Sequence, residues 1–185
     1  MAVTELVLER LRSDHAPAVL AFERENRAFF SASVPDRGDA FFEPDGFAAR
    51  HRALLDEQEA GTIHFHVLVA GDGAIVGRFN LVDVAEGSAE LGYRLAEKAT
   101  GRGVATAAIR ELCRRAREEY GLSRLTAATT LANGPSRAVL ARVGFGAVGS
   151  VTLADQPGIA YELDLTAYES DLGGSLGRER SGTAS

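Results

Sequence analysis

The distribution of apolar residues along the chain predicts an alternating series of strands and helices. Seven segments show the period-two alternation, or the short apolar run, that is typical of β-strands. They cover residues 3–11, 63–69, 74–84, 89–95, 124–130, 145–153 and 159–165. Apolar residues recur every three or four positions in segments 16–30, 46–59, 104–120 and 135–143. This second pattern predicts amphipathic helices.

The order of these segments predicts how the strands pair. Short connections, among them a Gly-Asp-Gly turn at residues 71–73, join the second, third and fourth strands and predict an antiparallel meander. A helix separates strand 89–95 from strand 124–130, which predicts two parallel neighbours joined by a right-handed crossover. We therefore expect an α/β fold with a mixed, mostly antiparallel central sheet and about four flanking helices.

Length and composition place this series in one domain. The chain has 185 residues and a mass of 19.6 kDa, enough to bury a core without disulfides or a structural metal. Gly, Ser and Arg dominate residues 170–185, which predicts a flexible C-terminal tail. We expect a single domain over residues 1–169, followed by this tail.

Cysteine and histidine usage argues against a metal site and for a reducing compartment. The single cysteine, Cys113, cannot form an internal disulfide, and it falls on an apolar helix stripe, which predicts core packing. The four histidines are scattered, so we expect no metal. His64 and His66 share one strand face, and a polar face explains them more simply than a proton shuttle. No secretory pattern or membrane-spanning run is found, so a cytoplasmic protein without a membrane partner is expected.

The net charge of −6 conceals an uneven distribution. Residues 98–154 contain nine lysines and arginines and three glutamates, a net of +6, which leaves −12 for the remainder. The basic part indicates an anionic ligand. The acidic whole and the 7% aromatic content disfavour a nucleic acid, so a small phosphorylated ligand is expected. The alternative is that Arg114, Arg115 and Arg117 form only the solvated face of a helix.

A glycine-bearing turn, from Lys98 to Thr106, leads from a strand directly into a helix. Backbone amides at a helix N-terminus can bind phosphate oxygens, and glycine permits their close approach. A Walker loop is excluded because no Gly-Lys-Ser or Gly-Lys-Thr closes the turn. The dinucleotide fingerprint fails at Thr106, and residues 120–154 contain no acid to bind a ribose. A turn that binds nothing is the alternative.

The same loop carries a family resemblance. Its pattern Lys98-x-x-Gly101-x-Gly103-x-Ala105 resembles the Gln/Arg-x-x-Gly-x-Gly/Ala loop with which GNAT-type N-acetyltransferases hold the pyrophosphate of acetyl-coenzyme A. Lys98 replaces the usual Arg or Gln and keeps a positive charge. Further matches resemble the subgroup that acetylates the N-termini of ribosomal proteins: Glu90-Leu91-Gly92-Tyr93, Asn133-x-x-Ser136, and Val139-Leu140 before Gly144-Phe145.

The resemblance implies a splayed sheet and a set of residues that bind acetyl-coenzyme A. The pantetheine arm is expected along the exposed backbone of the strand before the loop, and the pyrophosphate within the loop. Asn133 is expected to bind the pantetheine amide or else to cap its own helix. The implied cofactor contacts are Tyr93, Arg94, Leu95, Lys98, Gly101, Arg102, Gly103, Val104, Ala105, Thr106, Asn133 and Ser136.

Two residues are candidates for the chemistry of acetyl transfer. Many family members protonate the departing thiolate with a tyrosine at the position that is Leu140 here. Ser136 is the implied substitute, and its alternative is a helix-start serine that satisfies local amides. Glu90 is the candidate base, acting through water, and its alternative is an ordinary solvent-facing glutamate.

The resemblance therefore implies an N-acetyltransferase whose acceptor is a primary amine, with a protein or peptide N-terminus as the leading acceptor. A small amine is the rival acceptor, and the acidic remainder of the chain is expected to attract cationic amines. The rival from a second class is an inactive acyl-coenzyme A sensor, which the missing tyrosine makes credible. A purely structural module is the third class. A homodimer is compatible with the sequence.

Overall fold

The computed structural model describes residues 5–168, in which seven strands form one sheet. The strands are β1 (Leu6–Arg10), β2 (His64–Ala70), β3 (Ile75–Ala85), β4 (Ser88–Leu95), β5 (Arg124–Thr130), β6 (Gly146–Leu153) and β7 (Gln156–Asp164). Their order across the sheet is β1-β2-β3-β4-β5-β7-β6. All neighbours are antiparallel except β4 and β5. The predicted mixed, mostly antiparallel sheet is confirmed.

Six α-helices occur within residues 5–168, where the sequence predicted about four. They are α1 (Ala16–Glu25), α2 (Arg27–Ser31), α3 (Asp39–Phe42), α4 (Pro44–Glu59), α5 (Val104–Glu118) and α6 (Gly134–Val143). Residues 35–45, between the predicted helices 16–30 and 46–59, contain α3 and the first two residues of α4. Pro44 occupies the start of α4, where the fixed φ of proline favours the helix.

The predicted helix at 16–30 is broken at Asn26. The Asn26 side-chain amide donates to the Phe22 carbonyl over 2.9 Å, and its side-chain oxygen accepts from the Glu97 amide over 3.1 Å. A short polar side chain that bonds to backbone groups competes with the helix. α2 begins at Arg27, directly after this break, and Ala28 is exposed.

The remaining boundaries lie close to the predicted ones. The β6–β7 hairpin turns at Ala154 and Asp155, both with positive φ, and β7 therefore begins at Gln156 rather than near residue 159. The tail predicted at 170–185 lies outside the described residues.

Successive side chains of each strand point to opposite faces of the sheet, and helices cover both faces. On one face, the Arg78 side chain contacts Glu23 of α1 and lies over the Phe65 ring. On the other face, His66 of β2 contacts Tyr120, which follows α5. Helices α1 to α4 thus cover the first face, whereas α5 and α6 cover the second.

Helix α5 is the central core element of the second face. Its buried stripe contains Ala108, Ile109, Leu112, Cys113 and Ala116, as predicted from their spacing. Burial raises the pKa of the Cys113 thiol to about 12, so the thiol stays protonated and packs as an apolar group.

The arginines in the second half of α5 form part of a structural network. Arg114 binds Glu111 over 2.7 Å and Glu118 over 2.5 Å. Arg115 is buried and donates to the Leu8 carbonyl over 2.7 Å. The expectation that Arg115 lies on a solvated face was therefore wrong, since this side chain fastens α5 to β1.

His64 and His66 form an aromatic cluster with Tyr120, which follows α5. The His64 ring stacks on Tyr120 with centroids 3.7 Å apart. His66 is fully buried, and its Nε2 lies 2.7 Å from the Tyr120 hydroxyl. Burial, reinforced by the nearby charge of Arg115, lowers the pKa of His66 to about 3. The folded protein therefore holds His66 neutral.

We expect His66 to make the protein less stable in mild acid. Between pH 6.5 and about 3 the unfolded chain binds a proton that folded His66 excludes, so the free energy of unfolding falls as the pH decreases. The contribution approaches about 1.4 kcal/mol per pH unit. Urea unfolding of His66→Gln should show a correspondingly smaller slope over this range. The control Tyr120→Phe should lose stability and keep the slope; equal slopes for wild type and His66→Gln would contradict the assignment.

Candidate functional site

The site lies where β4 and β5 separate. These parallel strands pair at only three positions: Ser88 with Arg124, Ala89 with Leu125, and Glu90 with Thr126. Beyond Glu90, β4 continues to Leu95 while bonded only to β3. The backbone of β4 from residue 91 to 95 therefore borders a gap, and a strand edge of this kind can hydrogen-bond an extended ligand.

A turn of two left-handed glycines connects this edge to α5. Both Gly101 and Gly103 have φ of +74°, a conformation that favours glycine. A Cβ atom built on either residue would meet nothing within 4 Å. The turn thus presents its backbone to open space directly before the helix begins.

The first turn of α5 carries polar groups without protein partners. Helical bonding starts with the Ala107 amide donating to the Gly103 carbonyl, and no side chain caps the amides of Val104, Ala105 and Thr106. The Thr106 hydroxyl is buried and also lacks a partner. Because buried polar groups are nearly always paired, these donors fit an anionic ligand, and the helix dipole adds positive potential. A pyrophosphate suits this cradle.

Charged residues of the loop differ in their contacts. The Lys98 ammonium lies 3.2 Å from Glu25, which fastens the loop to the end of α1, whereas Arg102 is exposed. Leu95 and Ala105 are buried, and Val104 is half-buried. Lys98 and Arg102 can thus supply positive charge at the rim of the cradle, while Leu95 and Ala105 can contribute backbone groups.

Tyr93 and Ser136 meet at the gap. The Tyr93 side chain hydrogen-bonds the Ser136 side chain and stacks on Phe79, with parallel rings 5.6 Å apart. Burial raises the pKa of Tyr93, so its hydroxyl is protonated at neutral pH. The Asn133 oxygen accepts from the Ser136 amide over 3.2 Å and caps α6, which leaves the Asn133 side-chain NH2 as a donor.

Leu140 and Glu90 have opposite environments. Leu140 is 2% exposed and belongs to the core, so no titratable group replaces the tyrosine at that position. Glu90 is exposed and is the last residue of β4 paired with β5. Its carboxylate therefore stands at the point where the gap opens.

The Arg94 side chain faces away from the predicted cofactor edge. It points toward α1, where it lies 3.5 Å from the buried Glu23 carboxylate and over the Phe30 ring. Glu23 also forms an ion pair with Arg78. Only the backbone of Arg94 borders the gap, so its side chain belongs to a different surface.

Sequence reasoning missed Glu23 and Arg78 as members of this region, and it gave no role to the hydroxyl groups of Tyr93 and Thr106. One signal was present: a glutamate lies beside Phe22 on the buried face of a helix, and an arginine interrupts the buried run of β3. Charged residues at core positions are almost always paired or functional.

Comparison with known proteins identifies the class that this fold and site define. The profile of the acetyltransferase (GNAT) domain family matches residues 5–146. The chain belongs to the GNAT acetyltransferase family, and the predicted family resemblance is confirmed.

Individual proteins are similar to this chain in sequence or in fold. The Bacillus subtilis protein named "Putative ribosomal N-acetyltransferase YdaF" is 34% identical over 128 residues, which cover 66% of this chain and 65% of that relative's length. Ribosomal-protein-S5-alanine acetyltransferase from Vibrio fischeri has the same fold, with a TM-score of 0.83 at 20% identity over 91% of this chain and 98% of that one. Mycobacterium smegmatis RimJ in complex with CoA-disulfide gives a TM-score of 0.78 at 25% identity, covering 86% of this chain and 81% of RimJ.

Residues 5–168 contain no group of three or more His, Cys, Asp or Glu side chains placed to hold a metal ion. No helix in the same range is long and apolar enough to cross a membrane.

Gly103→Ala should weaken binding of coenzyme A at least tenfold, about 1.4 kcal/mol, because a methyl group would enter the cradle and strain its backbone. The matched control is Gly121→Ala, at the other end of α5, where φ is +65° and a Cβ atom also meets nothing within 4 Å. Both variants should lose similar stability in thermal unfolding. Isothermal titration should show weakened affinity only for Gly103→Ala; equal affinities would place the pyrophosphate elsewhere.

Proposed function

We propose that this protein transfers the acetyl group of acetyl-coenzyme A to a primary amine, and that its acceptor is the N-terminal α-amine of a protein or peptide. The observation that carries the proposal is the continuity of the β4 edge with the unpaired donors of the α5 N-terminus. An extended arm and a pyrophosphate on one ligand match this edge and this cradle in sequence order. Membership of the GNAT family supports the same ligand.

In this proposal, different residues bind the pantetheine arm and the pyrophosphate of acetyl-coenzyme A. Backbone groups of Tyr93, Arg94 and Leu95 bind the pantetheine arm, and the Asn133 side-chain NH2 donates to it. The pyrophosphate accepts hydrogen bonds from the loop and the first turn of α5, including the Thr106 hydroxyl. Lys98 and Arg102 offset its negative charge. Because the acetyl group arrives as part of a cosubstrate, no metal is needed for its delivery.

Acetyl transfer forms a bond between the amine nitrogen and the acetyl carbon and breaks the bond between that carbon and sulfur. One proton leaves the amine and one reaches the thiolate. Glu90, at the mouth of the gap, takes the first proton through water. Ser136, held by Tyr93, donates its proton to the thiolate and regains a proton from solvent, to which Glu90 releases the proton taken from the amine. This hydroxyl pair replaces the tyrosine that Leu140 displaces, and it favours an enzyme over an inactive sensor.

The choice of an α-amine follows from proton affinity. Attack requires a neutral amine, and an α-amine with a pKa of about 7.7–8.0 is partly neutral near physiological pH. A lysine side chain with a pKa near 10.4 is neutral less than about 1% of the time. The 34% identity to a relative named as a ribosomal N-acetyltransferase also supports a protein N-terminus.

A peptide with a free N-terminus and blocked lysines should be acetylated faster than a peptide with a blocked N-terminus and free lysines. The release of free thiol measures both rates with the same acetyl-coenzyme A supply. Spermidine serves as the small-amine arm of the panel. Faster reaction of the lysine peptide or of spermidine would overturn the N-terminal acceptor, and no reaction with any amine would favour the sensor.

Ser136→Ala should lower kcat on the order of 10²-fold and leave the affinity for coenzyme A nearly unchanged, because thiolate protonation matters only as the bond breaks. Ser150→Ala, which removes an exposed hydroxyl from β6, is the control and should behave as wild type. Tyr93→Phe should lower kcat by a smaller factor, since it removes only the partner that positions Ser136. Wild-type turnover of Ser136→Ala would exclude Ser136 as the proton donor.

A further inference from the structure

A cleft opens beside the separated strands on the face that carries α1 to α4. Side chains from α1, α2, the connection to α3, and β4 line it, including Glu23, Arg27, Phe30, Asp36, Arg37 and Arg94. It is open to solvent on one side. The sequence predicted an acidic surface for the acceptor, but three of these six side chains are arginines.

Glu23 cannot neutralise the arginines around it. Its carboxylate is 1% exposed and faces both Arg78 and Arg94, so this trio retains one positive charge. Burial lowers the pKa of Arg78 to about 10, which still leaves it protonated at neutral pH. Burial and the nearby positive charge of Arg37 both lower the pKa of Arg78 and of Arg94. The wall of the cleft next to β4 is therefore electropositive.

The other charges of the cleft compensate each other in part. Arg27 binds Asp36 over 2.6 Å and Asp39 over 2.8 Å. Asp39 is 92% exposed, so solvent screens its surplus charge. The negative charge of Asp36 favours the protonated form of Arg94, whereas the positive charge of Arg37 disfavours it. The charged side chains in and behind the cleft are four arginines and three acids. The excess positive charge that is buried lies at Arg78 and Arg94.

Arg94 retains donors for a ligand. Its one contact to Glu23 is long, at 3.5 Å, and 23% of its side chain is exposed to the cleft. Behind it, the Nε of Arg78 is buried and has no partner. Arg37 forms no ion pair within residues 5–168 and lies over the Phe41 ring. A guanidinium presents parallel N–H donors that match the two oxygens of a carboxylate.

The position of Arg94 relates it to the reacting amine. Glu90, Gly92 and Arg94 alternate onto one face of β4, and the gap opens beside Gly92. Alternate residues of a strand are about 6.6 Å apart. An amine beside Gly92 thus lies within the length of one or two residues of the Arg94 side chain.

We propose that Arg94, backed by Arg78 and assisted by Arg37, binds a carboxylate of the acceptor, so that the substrates are amines with a carboxylate one or two residues from the reacting nitrogen. This inference rests on the proposed function and specifies its acceptor. The carboxylate has two sources, an acidic side chain near a peptide N-terminus or the free carboxylate of an amino acid. The two sources separate experimentally.

The test compares charged and neutral acceptors of equal shape. The peptides Ala-Glu-Ala-Ala-amide and Ala-Gln-Ala-Ala-amide form one pair, and glutamine and glutamine α-amide form the other. For the preferred source, the wild type should show a KM at least tenfold lower for the acid. Arg94→Gln should abolish this preference, so that the KM values for the acid and for the neutral acceptor become equal. Arg124→Gln, the same charge change at the start of β5, should keep the preference, and thermal unfolding checks that both variants fold.

Each outcome decides one of the two proposals. Equal KM values for acid and amide in the wild type, with turnover of both, would overturn the carboxylate subsite and leave the acetyltransferase proposal intact. An equal loss of preference in Arg94→Gln and Arg124→Gln would show that general charge attraction explains the preference. That result would also overturn the carboxylate subsite. Preference confined to the free amino acid would support the subsite and overturn the protein N-terminus. Tight coenzyme A binding without turnover of any acceptor would overturn the proposed function itself.

Discussion

Parallel pairing between β4 and β5 ends after Glu90, and the unpaired strand that results creates both surfaces of the site. Backbone groups that would otherwise bond to β5 are released on the gap side of β4. Side chains of the same strand still alternate, so Tyr93 faces α6 while Arg94 faces α1. One interruption in hydrogen bonding therefore provides a backbone edge for one ligand and a charged wall for another. Continued pairing would remove the edge and close the cleft.

The features that could be predicted from sequence are those in which the signal is local. The crossover from β4 through α5 to β5 follows from a change of apolar period within one stretch of chain, and the strand 124–130 was located to the residue. The glycine turn before Val104 is likewise a short pattern with a direct geometric meaning, since both glycines adopt positive φ.

The features that escaped prediction depend on partners distant in the chain. Glu23 and Arg78 are 55 positions apart, and neither residue alone indicates that a helix and a strand bring them together. The break at Asn26 is stabilised by the Glu97 amide, 71 positions away. The distribution of charge was misleading for the same reason, because net charge along a segment ignores which side chains fold against one another. Lys98 and Arg124 of the basic segment pair with Glu25 and Glu162, two acids that lie outside that segment in the sequence.

The end of α1 is tied to the cofactor loop by two polar contacts, Asn26 to the Glu97 amide and Glu25 to Lys98. Two residues before Glu25, the same helix holds the arginines of the cleft through Glu23. A ligand that displaces the loop must therefore move this helix or break these contacts. Coupling between two binding sites is reciprocal. The factor by which a ligand in the cradle changes the affinity of the cleft for the acceptor is therefore the factor by which the acceptor changes the affinity of the cradle for its ligand. If the cradle and the cleft bind the two substrates as proposed, α1 connects both sites and can couple the binding of one substrate to that of the other.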